Sequence, residues 1–279
     1  MDFFQAIVIG IIQGLTEFLP ISSTAHVRIV PALLGWSDPG AAVTAVTQLG
    51  TLMAVLIFFR NDIIRLIKAA FFSVTRWSQK AQWDAELRQD VRMAWFIALG
   101  TLPLGILGII FKDTIETDFR SLTIIGWSLI GLAVILALAE VVAKHRRSIT
   151  DMDFKDTQII GLAQAVALIP GASRSGVTIT AGLFLGLTRE SAARFSFLLS
   201  IPAVLASGLF ELKDLIKYGL GDEGLIHLFV ATLVAGIVGY ASIAFLIKWL
   251  QTRSTTIFIV YRIVLGILIL TLSGMHVIR

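Results

Sequence analysis

Three stretches of this chain, 93–111, 121–143 and 257–275, have few charges or carry them near their ends. Each matches the roughly 20 residues an α-helix needs to cross about 30 Å of hydrocarbon. Such runs make the chain an all-α polytopic membrane protein. Composition agrees, with 56% hydrophobic and 15% charged residues, where a soluble domain carries about 25% charge. The formal charge of +4 therefore says little about nucleic acid, and no nucleic-acid partner is expected. The partner to expect is the lipid bilayer. There is no cysteine, which excludes disulfides, thiolate zinc sites and cysteine nucleophiles. The start, "MDFF", has an acid and no basic stretch, so it does not read as a cleaved signal peptide.

Apolar segments lie at about 3–18, 23–35, 41–59, 91–111, 121–143, 157–169, 175–186, 192–210, 225–249 and 256–276. Six are long enough to span. The other four form two adjacent pairs, 3–18 with 23–35 and 157–169 with 175–186. The later member of each pair has about 12 residues, or roughly 18 Å of helix. That length predicts two re-entrant helix hairpins that reach about halfway across. Their irregular tips are tolerable at membrane depth only inside protein or beside a water-filled cavity.

Basic residues set the sidedness. The segment 60–92 is read as a long cytoplasmic loop because it holds Arg60, Arg65, Lys68, Arg76, Lys80, Arg88 and Arg92. "KHRR" at 144–147, "TRESAAR" at 188–194, Lys248 and Arg253 fall on the same side. The acid-rich loops 112–120 and 211–224 fall outside, with both termini. The first hairpin then dips in from the outer face.

An internal repeat runs through this topology. "IGIIQGLTEFLPISSTAHV" at 9–27 matches "IGLAQAVALIPGASRSGVT" at 160–178. Both begin Ile-Gly, place a glutamine three residues on, and reach a proline followed by a serine-rich break. The halves, about 1–150 and 151–279, each hold one hairpin and three spans within a single membrane domain. An odd number of crossings inverts the second copy. Inverted repeats with broken helices bring their tips together near the midplane.

The tips carry the chemistry. Gln13 and Glu17 are four apart and share a helix face. Pro20 ends that helix, and Ser22 or Ser23 can cap the next. His26 lies over the same face as these serines. In the second tip, Pro170-Gly171 turns the chain, and Ser173 and Ser175 offer hydroxyls or a cap. The helix-start amides there form an anion site. Arg174 either binds an anion or pairs with Glu17, and either role couples the tips. Thr178 lies one turn further. Ionisable groups inside membranes are costly and usually functional. Gln48, Gln158 and Gln164 are expected to hydrogen-bond between helices. Arg262, six residues into the last span, either snorkels to the cytoplasmic face or joins the site. His145, His227 and His276 are expected to do no chemistry. An anion-handling site with a hydroxyl, an imidazole and a carboxylate suits phosphoryl transfer, and the apolar walls suit a lipid tail.

"GLTEFLPISSTAH" and "PGASRSGVT" closely resemble the two signature motifs of the undecaprenyl-diphosphatases, the bacterial bacitracin-resistance proteins. The resemblance also covers "VTQLGTLMAVL" at 46–56, "RFSFLLSIPA" at 194–203 and "YRIVLG" at 261–266, so it extends over essentially the whole chain. It implies hydrolysis of undecaprenyl diphosphate, a polyprenyl diphosphate lipid, to the monophosphate carrier of peptidoglycan synthesis, at the outer face of the inner membrane. It also implies bacitracin resistance and a divalent metal, Mg2+ or Ca2+. The family's acidic motif has glutamate or glutamine, three residues, then glutamate. Here it is Gln13 and Glu17, one carboxylate where some members have two.

On this reading Glu17, Ser23, His26 and Arg174 are the candidate catalytic residues. Gln13, Ser22, Thr24, Ser173, Ser175, Thr178 and Arg262 are the candidate substrate-binding residues. Glu17 also serves as a candidate metal ligand or orients His26. Ser23 is the nucleophile and His26 its base, with direct attack by water as the alternative. A homodimer stays open alongside a monomer. The rival reading is an inverted-repeat transporter or lipid flippase, in which Arg174 binds an anion without hydrolysing it. A phosphatase of the other lipid-phosphatase superfamily is excluded, because no histidine follows "SRSGVTITAGLFLG" until His227.

Overall fold

The computed structural model describes residues 1–111, 121–219 and 221–278, all but residues 79, 82, 214, 218 and 221–223 with their side chains. The expected outer loop 112–120 lies outside the described residues. Within them there are eleven α-helices and no strand. Six are long and apolar enough to cross a membrane: α3 (Gly40–Phe58), α5 (Ala85–Ile110), α6 (Leu122–Val142), α9 (Arg189–Tyr218), α10 (Gly221–Thr252) and α11 (Thr256–Gly274). Their outer faces are apolar, with Ile109 and Val141 both more than 80% exposed. That surface would be a liability in water and is the natural one in lipid.

Two shorter pairs accompany them. Helices α1 (Phe3–Thr16) and α2 (Ser23–Leu34) flank one break. Helices α7 (Phe154–Ala165) and α8 (Arg174–Phe184) flank the other, with a 3₁₀ turn at Val166–Leu168. The segment 60–92, expected to be a loop, is instead largely helical: α4 (Arg60–Thr75) packs against the start of α5 through Leu66, Ala69 and Ser73. Its charges hid a helix whose apolar residues repeat at helical spacing.

Helix α1 lies along α10, and α7 lies along α5. Each broken pair thus packs on a long helix from the other half of the chain. The Ile-Gly that opens each motif explains how. A Cβ on Gly10 would sit 2.5 Å from the Ala231 carbonyl oxygen, and one on Gly161 would sit 2.3 Å from that of Gly100. Only glycine allows such close backbone crossings, a common device between helices in lipid. Helix α3 pairs with α9, and α6 with α11. The main core centres on Phe195, Phe197 and Leu199 of α9. Phe18, in the turn after α1, meets Phe197 edge to face at 5.2 Å, which seats the first break on that core.

The segments read as cytoplasmic gather at one end of the bundle. Gly186 O accepts from the amides of Arg146 and Arg147, and the Thr188 amide donates to Arg147 O at 2.8 Å. Arg92 donates to Thr150 O, and Arg194 pairs with Asp62. Arg189 pairs with Glu140, which also accepts from the Thr255 hydroxyl at 2.7 Å.

Candidate active site

The two breaks are built alike. Ser22 is the N-cap of α2, and its hydroxyl accepts from the Ala25 amide. Ser173 is the N-cap of α8, and its hydroxyl accepts from the Gly176 amide. Both serines hold positive φ, 73° and 67°. Non-glycine residues rarely adopt that conformation, and such strain concentrates at functional sites. Each of these caps opens the positive N-terminal end of the helix that follows it.

The first residues of these two helices, Ser23 and Arg174, converge on one carboxylate. Ser23 Oγ donates to Glu17 Oε2 at 2.7 Å. Gln13 Nε2 donates to the same oxygen at 2.7 Å. Arg174 Nη2 donates to the other oxygen, Oε1. Glu17 is buried, and the Arg174 side chain keeps 18% of its surface exposed. Three donors, one of them a cation, stabilise a charge that burial alone would expel. Of the two roles read for Arg174, the pairing with Glu17 is the one present here.

Further contacts join the breaks. Ser175 Oγ donates to Leu19 O at 3.1 Å and lies 3.2 Å from Ser173 Oγ. Arg262, fully buried on α11, donates to Pro20 O of one break and to Gly171 O and Ala172 O of the other, at 3.5, 3.3 and 3.0 Å. It does not snorkel to the cytoplasmic face. Its donors hold the two turns together, because carbonyls freed by a broken helix need partners in lipid. Thr178 Oγ1 donates to Arg174 O and meets Ser196 Oγ at 2.6 Å, which ties α8 to α9. Thr24 is partly exposed beside Ser23.

His26 departs from expectation. Its Nδ1 lies 2.7 Å from Ser22 O, and its Nε2 lies 2.7 Å from the Tyr261 hydroxyl. Neither nitrogen bonds Ser23 or Glu17. The acceptor for the Ser23 proton is Glu17, so the serine–histidine pair read from the sequence is replaced by a serine–glutamate pair. Tyr261 was missed. The signal available was a phenol beside an arginine in an otherwise apolar span. Of the glutamines expected to hydrogen-bond between helices, Gln164 does not. Gln13 Oε1 and both amide atoms of Gln164 are buried without a hydrogen-bond partner in the protein, as is Gln158 Nε2.

A family model described as "Bacitracin resistance protein BacA" matches residues 6–268, a span that contains both breaks and Arg262. The chain belongs to this family. Similar curated relatives are the undecaprenyl-diphosphatases of Chloroherpeton thalassium (55% identical; 99% of this chain, 98% of the relative) and Prosthecochloris aestuarii (55%; 98% and 97%). That of Myxococcus xanthus is 54% identical over 98% of this chain and 89% of the relative.

The divalent metal that the BacA resemblance implies can be weighed against these atoms. Among the described residues no group of three or more His, Cys, Asp or Glu could hold a metal. The breaks supply one carboxylate, Glu17, and two unpartnered amide oxygens, Gln13 Oε1 and Gln164 Oε1. Both Glu17 oxygens are already bonded, by Ser23, Gln13 and Arg174, so Glu17 and Gln13 Oε1 would hold Mg2+ only together with substrate phosphate oxygens, as Mg2+ commonly is held.

Proposed function

We propose that this chain hydrolyses undecaprenyl diphosphate to undecaprenyl phosphate and inorganic phosphate, and so recycles the lipid carrier of peptidoglycan synthesis. Abundant protein then confers bacitracin resistance. The single observation that carries the reading is the Ser23–Glu17–Arg174 chain. It supports the reading because a hydroxyl that can attack phosphorus and a cation that can bind phosphate both bond one carboxylate, which can take the hydroxyl proton.

In the resting arrangement Arg174 is held by Glu17. An incoming diphosphate competes for the guanidinium and draws it away, which frees Glu17 to take the Ser23 proton. Ser23 Oγ attacks the terminal phosphorus, the bridging P–O bond breaks, and undecaprenyl phosphate leaves. Water then attacks the phosphoserine, and Glu17 returns its proton to Ser23 Oγ. The positive ends of α2 and α8 stabilise the phosphate charge throughout. A bound divalent cation would supply further neutralisation of the phosphate oxygens, held by Gln13 Oε1 and Glu17. The isoprenoid tail lies along the apolar, lipid-facing helices.

Both breaks reach only part-way across the membrane. Their helices have 14, 12, 12 and 11 residues, or about 16–21 Å each at 1.5 Å per residue. The exchanged packing of α1 on α10 and α7 on α5 supports an inverted repeat. The site opens to the outer face of the bacterial inner membrane, opposite the end where the basic segments gather. The Ser23–Glu17 hydrogen bond favours hydrolysis over transport alone, since anion binding requires no nucleophile.

The test is phosphate release from undecaprenyl diphosphate by purified protein in detergent, with and without chelator. Turnover by wild type and none by Glu17→Ala supports the reading. Tracer movement across liposomes without phosphate release would replace it with the transport reading.

A further inference from the structure

The mechanism above leaves the water of the second step without a base, because Glu17 then holds the Ser23 proton. His26 is one turn beyond Ser23 on α2 and is the remaining imidazole at the breaks. Its hydrogen bonds fix its state. Ser22 O is a carbonyl and can only accept, so Nδ1 carries the proton. In the neutral ring Nε2 is then the acceptor, and the Tyr261 hydroxyl donates to it. The two rings stack nearly parallel, 8° apart with centroids 5.6 Å apart. The basic lone pair of His26 is therefore covered by Tyr261.

Tyr261 stands at a boundary. It is 43% exposed and falls in the lipid-facing stripe of α11 with Ile257, Val260 and Val264. Its neighbour Arg262 faces inward and holds both turns. One helix thus clamps the scaffold and caps the histidine with consecutive residues. A base whose lone pair is covered can act only through the group that covers it.

We propose that Tyr261 is a positioning and relay residue for the dephosphorylation step. The attacking water gives a proton to the Tyr261 oxygen as Tyr261 passes its own proton to His26 Nε2. Hydroxide adds to the phosphoserine phosphorus, and the P–O bond to Ser23 breaks. Ser23 Oγ recovers the proton held by Glu17, and the imidazolium returns its proton through Tyr261 to the departing phosphate. Every proton is accounted for, and Tyr261 ends unchanged.

This inference rests on the covalent reading proposed above. The test is rapid-quench kinetics of Tyr261→Phe with undecaprenyl diphosphate, following both products. The substitution keeps the ring and removes the hydroxyl. The expected result is a burst of undecaprenyl phosphate near one per enzyme, slow phosphate release, and kcat lower by about tenfold or more with KM unchanged. Wild-type kcat, or an equal fall in both products with no burst, overturns the relay. Ser23→Ala with full turnover overturns instead the covalent reading beneath it. A second measurement needs no substrate. In ¹⁵N-histidine NMR of the intact protein, Tyr261→Phe should shift His26 Nε2 while Nδ1 stays protonated. An unmoved Nε2 resonance contradicts the pairing.

Discussion

The two breaks share a scaffold and divide a chemistry. At a constant offset of 151 residues Gly10 matches Gly161, Gln13 matches Gln164 and Ser22 matches Ser173. The matched glycines make the same close helix crossing, and the matched serines hold the same left-handed cap. At the same offset Glu17 faces Leu168, Ser23 faces Arg174 and His26 faces Val177. The first break keeps the acid, the hydroxyl and the imidazole, and the second keeps the cation. A symmetric frame thus brings unlike groups to one point, where two like copies would have brought together two carboxylates or two cations.

The unlike residues should dominate activity. Arg174→Ala and Glu17→Ala should each cut phosphate release by about 10³-fold or more, because each removes charge placement that positioning cannot replace. Arg174→Ala also strands a buried carboxylate, at about 3–5 kcal/mol of stability, readable in a denaturation series. Ser23→Ala should follow, with turnover down by about 10²-fold or more and unfolding close to wild type.

The matched residues should instead affect stability, and by similar amounts in the two halves. Gly10→Ala and Gly161→Ala should each cost about 1–3 kcal/mol through overpacking. A thermal-melt series in which one is harmless would break the comparison. The smallest effect belongs to the caps. Ser22→Ala and Ser173→Ala should each cost about 1 kcal/mol, and the glycine versions only a few tenths, since glycine adopts positive φ without strain.

Much of this was legible in the sequence because its signals are local. A 20-residue apolar run marks a span wherever it sits, and the six spans fall within a few residues of where they were read, apart from helix ends that continue into polar sequence. Proline followed by serines marks each break, and the repeat says that the breaks meet, so the Glu17–Arg174 pair could be anticipated. What was hidden depends on side-chain direction over long separations. Tyr261 reaches His26 across 235 residues, and Arg262 reaches Pro20 across 242. No spacing rule connects them. The Ser23–His26 pair was misread because helical spacing places residues on a face without saying which way each hydroxyl turns. Helix α4 was misread because charge count outweighed periodicity.

The fate of the phosphate separates covalent catalysis by Ser23 from direct attack by water. Wild-type protein quenched during turnover of undecaprenyl diphosphate, digested and examined by mass spectrometry, should carry phosphate on Ser23, and Arg174→Ala should carry none. An unmodified Ser23 in protein that is turning over, with Ser23→Ala releasing phosphate at the wild-type rate, would contradict covalent catalysis.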